Sequence, residues 1–179
     1  ASGEEIEVTY IATTDNTKAS TRQFFDDMED GDAFWLIIDE EGTNLFGLQD
    51  VFVNSGENAW HVLNPIEAAD NTRQQLQLDE EILVTGDQPT LRFFHQYSID
   101  EGTAGGIVEI STDGGTRWTD LAPYFIRNAY SRPVAYNTFA ELDAHAFSGK
   151  NGEFEASYID LSAFMGERVT IRFRFSSLQ

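Results

Sequence analysis

Hydrophobic and polar residues alternate along much of this chain, with a period of two. Val169, Ile171, Phe173 and Phe175 alternate with Arg168, Thr170, Arg172 and Arg174. Leu91, Phe93 and His95 alternate with Arg92, Phe94 and Gln96, and Ile6, Val8 and Tyr10 with Glu5, Glu7 and Thr9. Successive side chains of a β-strand point to opposite faces, so the pattern describes strands with one buried and one wet face. Further strands are expected over 33–38, 59–63, 73–78, 81–85, 106–112, 116–121 and 153–160. Turn signals separate them, among them Asp30-Gly31-Asp32, Ser55-Gly56, Gly86-Asp87 and Asn151-Gly152. Strand 106–112 leads through Asp113-Gly114-Gly115 toward Trp118, a hairpin signal. No long stretch carries the helical period. Short helical turns are expected only near 64–70 and at 161–165, where Asp160 is placed as a cap. Many short strands, Gly-rich turns and almost no helix predict an all-β fold, an antiparallel β-sandwich of jelly-roll type.

With 179 residues the chain is long enough for one domain with a real core. Residues 21–179 read as the sandwich, and 1–20 as an N-terminal strand or linker. The 31 acids outnumber the 11 bases, for a formal charge of −20. Phosphate neutralisation needs clustered Lys and Arg, so no nucleic-acid partner is expected. The same shortage removes a polybasic membrane anchor, and no apolar run approaches the roughly 18 residues of a membrane span. No membrane insertion is therefore expected. An acidic, lysine-poor surface keeps a protein soluble in salty surroundings, which fits a secreted, extracellular setting. The opening Ala1-Ser2-Gly3-Glu4-Glu5 lacks the features of a signal peptide, so the expectation is either a removed leader or, the favoured reading, a piece of a longer chain. Without cysteine there are no disulfides, thiolate metal sites or cysteine nucleophiles.

Several segments act together as a signature. They are Leu91-Arg92-Phe93-Phe94-His95-Gln96-Tyr97, then Glu101, then Gly105-Gly106 through Ser111-Thr112-Asp113-Gly114-Gly115-Thr116-Arg117-Trp118. Later come Ala146-Phe147-Ser148-Gly149 and Tyr158-Ile159-Asp160-Leu161-Ser162, which run into the strand 169–175; the early Asp27-Met28-Glu29-Asp30-Gly31 and Trp60-His61 join them. Over roughly 24–177 the chain resembles the MAM-like jelly-roll domains of bacteria, similar to the accessory domain of immune inhibitor A-type secreted peptidases. The resemblance implies a non-catalytic accessory or binding module of a secreted bacterial multidomain protein. Its expected partner is a polysaccharide or the neighbouring domains of the same chain. Two positions depart from the family's pattern: Ala104 stands where an acid commonly precedes the Gly-Gly pair, and Ser176-Ser177-Leu178 where an Asp commonly follows the last strand.

The acid cluster Asp26, Asp27, Glu29, Asp30 and Asp32 is the best metal candidate in the sequence. Calcium takes six to eight oxygens, and such a run supplies several from one loop, although without the spacing of an EF-hand. The resemblance favours Asp27 and Glu29, with Glu101 approaching from another strand end, and makes calcium a structural staple. For a glycan, an exposed aromatic face flanked by polar groups is the needed chemistry. Trp35 and Trp118 are expected to pack internally. Trp60, and Tyr130 with Arg132 on the loop 128–133, are the candidate ligand-binding residues. His95 alternates with Phe93 and is expected as a satisfied core histidine. No nucleophile elbow, zinc-protease helix or phosphate loop occurs, so no enzyme activity is expected. Arg168, Arg172 and Arg174 share one face of the last strand and are expected to meet acids across it. The glycan-binding reading stands against a structural or protein-interaction domain that flanks a secreted peptidase or sits within a surface adhesin.

Overall fold

Strand-forming alternation becomes two antiparallel sheets in the computed structural model, which describes residues 6–10, 22–41, 46–62, 71–130, 132–134 and 145–178. The first sheet has five strands. They are β1 (Ile6–Tyr10), β2 (Arg22–Asp26), β8 (Pro89–His95), β11 (Phe125–Arg127) and β14 (Glu155–Asp160), in the order β11-β14-β8-β1-β2. The second has β3 (Trp35–Glu41), β6 (Asn71–Leu78), β9 (Ala104–Ser111), β10 (Thr119–Asp120) and β15 (Arg168–Leu178), in the order β10-β9-β15-β6-β3, with β7 (Ile82–Leu83) pairing the start of β15. Two small two-stranded sheets complete the described strands: β4 (Phe46–Gln49) with β5 (Ala59–Val62), and β12 (Arg132–Pro133) with β13 (His145–Ala146), the latter joined to β9 through the Gly106–Phe147 bridge.

The inner faces of the two sheets interlock in one hydrophobic core. Leu91, Phe93 and Ile159 from the first sheet pack with Leu76, Val108, Ile110, Ile171 and Phe173 from the second. Phe93 and Phe173 meet edge to face across the sandwich, centroids 5.1 Å apart. The fold is an all-β antiparallel sandwich. The helical turn expected at 161–165 is a single 3-10 turn at Ser162–Phe164, and Asp160 accepts from the Ser162 N–H at 2.8 Å. The turn expected near 64–70 and most of the expected 1–20 segment lie outside the described residues.

The outer face of the second sheet holds a polar network in place of solvent. Arg172 donates to Glu109 at 2.7 Å and to Gln75 at 2.7 Å, and all three side chains are buried. Arg174 lies 3.5 Å from the same Glu109. The Trp118 ring covers the Arg172 guanidinium at 4.2 Å. Arg172 and Arg174 therefore do meet an acid across the sheet, with Trp118 packed over Arg172, whereas Arg168 lies opposite Leu83 of β7.

Candidate functional site

A cleft of about 240 Å³ opens where the two sheets part at one end. The end of β8, the start of β9 and the end of β15 form its walls. The β4–β5 hairpin supplies Phe46, Trp60 and His61, and its connecting loop supplies Phe52. Period two places the floor: Phe93 and His95 share the inner face of β8, and Phe173 and Phe175 that of β15. The result is a largely aromatic cleft with a few polar groups, the usual composition of a small-ligand site.

His95 is the polar centre of this floor. It is 5% exposed, stacks on Tyr97 at 5.8 Å with the rings 2° from parallel, and leans on Phe147 at 4.3 Å. Its Nε2 lies 2.8 Å from the Ser157 hydroxyl, which in turn donates to the Asn128 carbonyl at 2.6 Å. Asn128 is fixed by its own Nδ2, which donates to the Ala156 carbonyl at 2.8 Å. Burial pushes the His95 pKa down to about 4, so the ring is neutral at pH 7. The expected core histidine is thus satisfied on one nitrogen only. Nδ1 is buried and has no hydrogen-bond partner among the described residues.

Trp60 is not an exposed stacking platform. The hairpin turns it inward to 3% exposure, and its indole Nε1 is likewise buried without a partner among the described residues. The outward aromatic is Phe52, which the sequence did not single out. It is 68% exposed, next to Val51 at 51%, and stacks on His61 at 6.5 Å. Its φ of +57° is in the left-handed region, which a bulky residue adopts at a cost, and such strain clusters at functional positions. An aromatic within the irregular run before Ser55-Gly56 was the only sequence signal for it.

The acidic turn fastens the hairpin to the body. Glu29 accepts from the Glu57 N–H at 2.7 Å, the Asn58 N–H at 3.0 Å and Asn58 Nδ2 at 3.1 Å. The Glu57 backbone bond, then that of Asn58, holds the Glu29 carboxyl below its ordinary pKa. Gly56 sits against this carboxylate with φ +71°, and a side chain there would run into it. Asp26 is buried and accepts from the Met28 N–H at 2.9 Å and from Trp35 Nε1 at 2.6 Å. Asp27 accepts from the Glu29 N–H at 3.3 Å. Glu101 is placed apart from them, paired with Arg132 at 3.1 Å and lying against Gly149. The proposed calcium ligands Asp27, Glu29 and Glu101 are therefore not brought together. Among the described residues no three His, Asp or Glu side chains gather in a metal-holding group.

The loop that was to present Tyr130 to a ligand instead aims its hydroxyl inward. The Val108 N–H donates to the Tyr130 hydroxyl, which donates in turn to the Val108 carbonyl at 3.1 Å. The ring packs on Phe125 and Phe147. Burial, then the charge of Asp120, pushes its pKa well above the ordinary tyrosine value. Arg132 remains exposed beside Glu101 and is not among the residues that line the cleft. No protein-family model matches the chain, and no curated protein matches it.

Proposed function

We propose that the protein is a non-catalytic binding module that holds a saccharide in the cleft between its sheets, and that it serves as an accessory domain of a secreted bacterial protein. The observation that carries this reading is the aromatic cleft with Phe52 held outward at its mouth in a strained backbone. The apolar face of a sugar ring stacks on aromatic faces, and its hydroxyls need a few fixed polar partners. The cleft supplies both. The resemblance to MAM-like accessory domains points the same way.

The test is retention on a panel of soluble neutral polysaccharides by affinity electrophoresis. It is run once with calcium and once with chelator, because a cation on the acidic turn would stiffen the loop that carries Phe52. Retention by one polysaccharide is expected, weakened about tenfold by Phe52→Ala, which removes an exposed ring and leaves the core intact. Trp60→Ala is a poor substitute, because it opens a cavity in the core. No retention in either condition overturns the saccharide reading and leaves the module as a structural or domain-docking unit.

A further inference from the structure

The hydrogen-bond chain behind His95 fixes where its single proton lies. A serine hydroxyl has one hydrogen, and Ser157 gives that hydrogen to the Asn128 carbonyl, which can only accept. Toward His95 the Ser157 oxygen is then an acceptor, so the 2.8 Å contact is a donation from His95 Nε2–H. A neutral imidazole carries one proton. Nδ1 is left as a bare acceptor. Trp60 Nε1 is the opposite kind of group, since an indole N–H can only donate. Both nitrogens are buried and unpartnered among the described residues, and both side chains line the same cleft. A lone buried polar atom destabilises the fold, and here an acceptor and a donor share one apolar surrounding. A hydroxyl group is the smallest chemistry that satisfies both kinds, because it accepts and donates.

We propose that the floor of the cleft is a hydroxyl-recognition subsite, in which His95 Nδ1 accepts from, and Trp60 Nε1 donates to, the hydroxyls of a neutral ring-shaped ligand. The inference rests on the cleft being the ligand site, and it adds the polarity that the site selects. A cationic or purely hydrocarbon ligand leaves one or both nitrogens unpaired and is disfavoured. Both nitrogens lie beneath the lining of the cleft. A hydroxyl reaches them as the side chains of the lining give way; the β4–β5 hairpin that carries Trp60 pairs with neither sheet among the described residues and is tied to the body through Glu29. Ser157 is the positioning residue, since it holds the tautomer that keeps Nδ1 free to accept.

The experiment uses two probes of the same shape, phenol and benzene, with 15N-labelled protein. The imidazole 15N shifts of His95 are read first, without any probe. An Nε2–H tautomer with unprotonated Nδ1 is expected, and an Nδ1–H tautomer overturns the proposal. Phenol and benzene are then titrated while the His95 and Trp60 side-chain nitrogens are followed. Phenol is expected to bind about tenfold more tightly than benzene and to shift both nitrogens. Equal affinities, or binding of neither at millimolar concentration, overturns the proposal. In Ser157→Ala, with a preserved amide spectrum, the phenol preference is expected to shrink as the tautomer is released. A phenol preference in a protein that retains no polysaccharide supports the subsite and overturns the saccharide reading alone.

Discussion

His95 shows what burial does to a titratable side chain. In an unfolded chain its imidazole takes a proton near pH 6.5, and in the fold only near pH 4. Between those values the unfolded state binds a proton that the native state refuses, so stability falls as the pH is lowered through that window. Above about 6.5 the group costs nothing, and below about 4 both states are protonated and its effect levels off. The full loss is about 3 kcal/mol. Urea unfolding of the wild type and of His95→Gln at pH 7 and pH 4.5 isolates it, because the carboxylates titrate alike in both proteins. The wild type is expected to lose more stability than the variant on acidification. A parallel loss in the two would show that His95 charges freely inside the fold. The period of two that puts His95 on the same face as Leu91 and Phe93 made its burial legible in the sequence. The half-satisfied state of its ring was not, because Ser157, 62 residues on, reaches the ring, and Asn128, 33 residues on, in turn fixes the Ser157 hydroxyl.

Among the elements, β9 illustrates how a sheet edge is closed with little strand. It spans Ala104–Ser111, yet β10 pairs only its Ile110 and Glu109. Beyond that pairing the Leu121 N–H reaches the Val108 carbonyl, the Tyr130 hydroxyl takes the Val108 N–H, and Phe147 exchanges two backbone bonds with Gly106 at 3.0 and 2.9 Å. Tyr130 therefore stands in for a strand. In Tyr130→Phe the Val108 N–H loses its acceptor inside the protein, which costs about 1–3 kcal/mol. The expected outcome is a matching fall in unfolding free energy with faster amide exchange at Val108. An unchanged exchange rate there would mean that another group takes over the edge. β15 was readable because its alternation runs unbroken over 168–175, and β8 because Leu91, Phe93 and His95 keep the period of two despite Phe94. The sequence hid β2, β4 and β11 for a different reason. Phe24-Phe25 breaks the alternation, Phe46-Gly47-Leu48-Gln49 is too short to establish it, and Phe125-Ile126-Arg127 lies on an edge with half its ring of neighbours missing. The loop 128–133 looked like a ligand edge because it is irregular and holds an aromatic. Period and composition carry no information on which way a loop side chain turns.

For the molecule as a whole, the charge of −20 divides into acids that hold the fold together and acids that only repel. Glu109 is buried between two arginines, Asp26 clamps the turn at Met28 and Trp35, and Glu29 fastens the β4–β5 hairpin. Asp113 closes the 111–117 loop: the Arg117 N–H bonds its carboxylate first, the Arg117 side chain and Ser111 add to it, and its pKa falls to about 2. These carboxylates make short-range contacts that salt disturbs little when they are buried. Others, with so few bases to face, push on one another through solvent, and that repulsion weakens the compact state. Raising the salt from about 10 mM to about 1 M shortens the screening length from roughly 30 Å to roughly 3 Å. The midpoint of thermal unfolding is therefore expected to rise by several degrees over a sodium chloride series. Potassium chloride should do the same at equal ionic strength, since the effect is screening and not site binding. A flat or falling midpoint would mean that the clasps at Glu29, Asp113 and Glu109 already outweigh the repulsion. A rise specific to calcium, far beyond its ionic strength, would instead place a cation among the acids of the 26–32 turn.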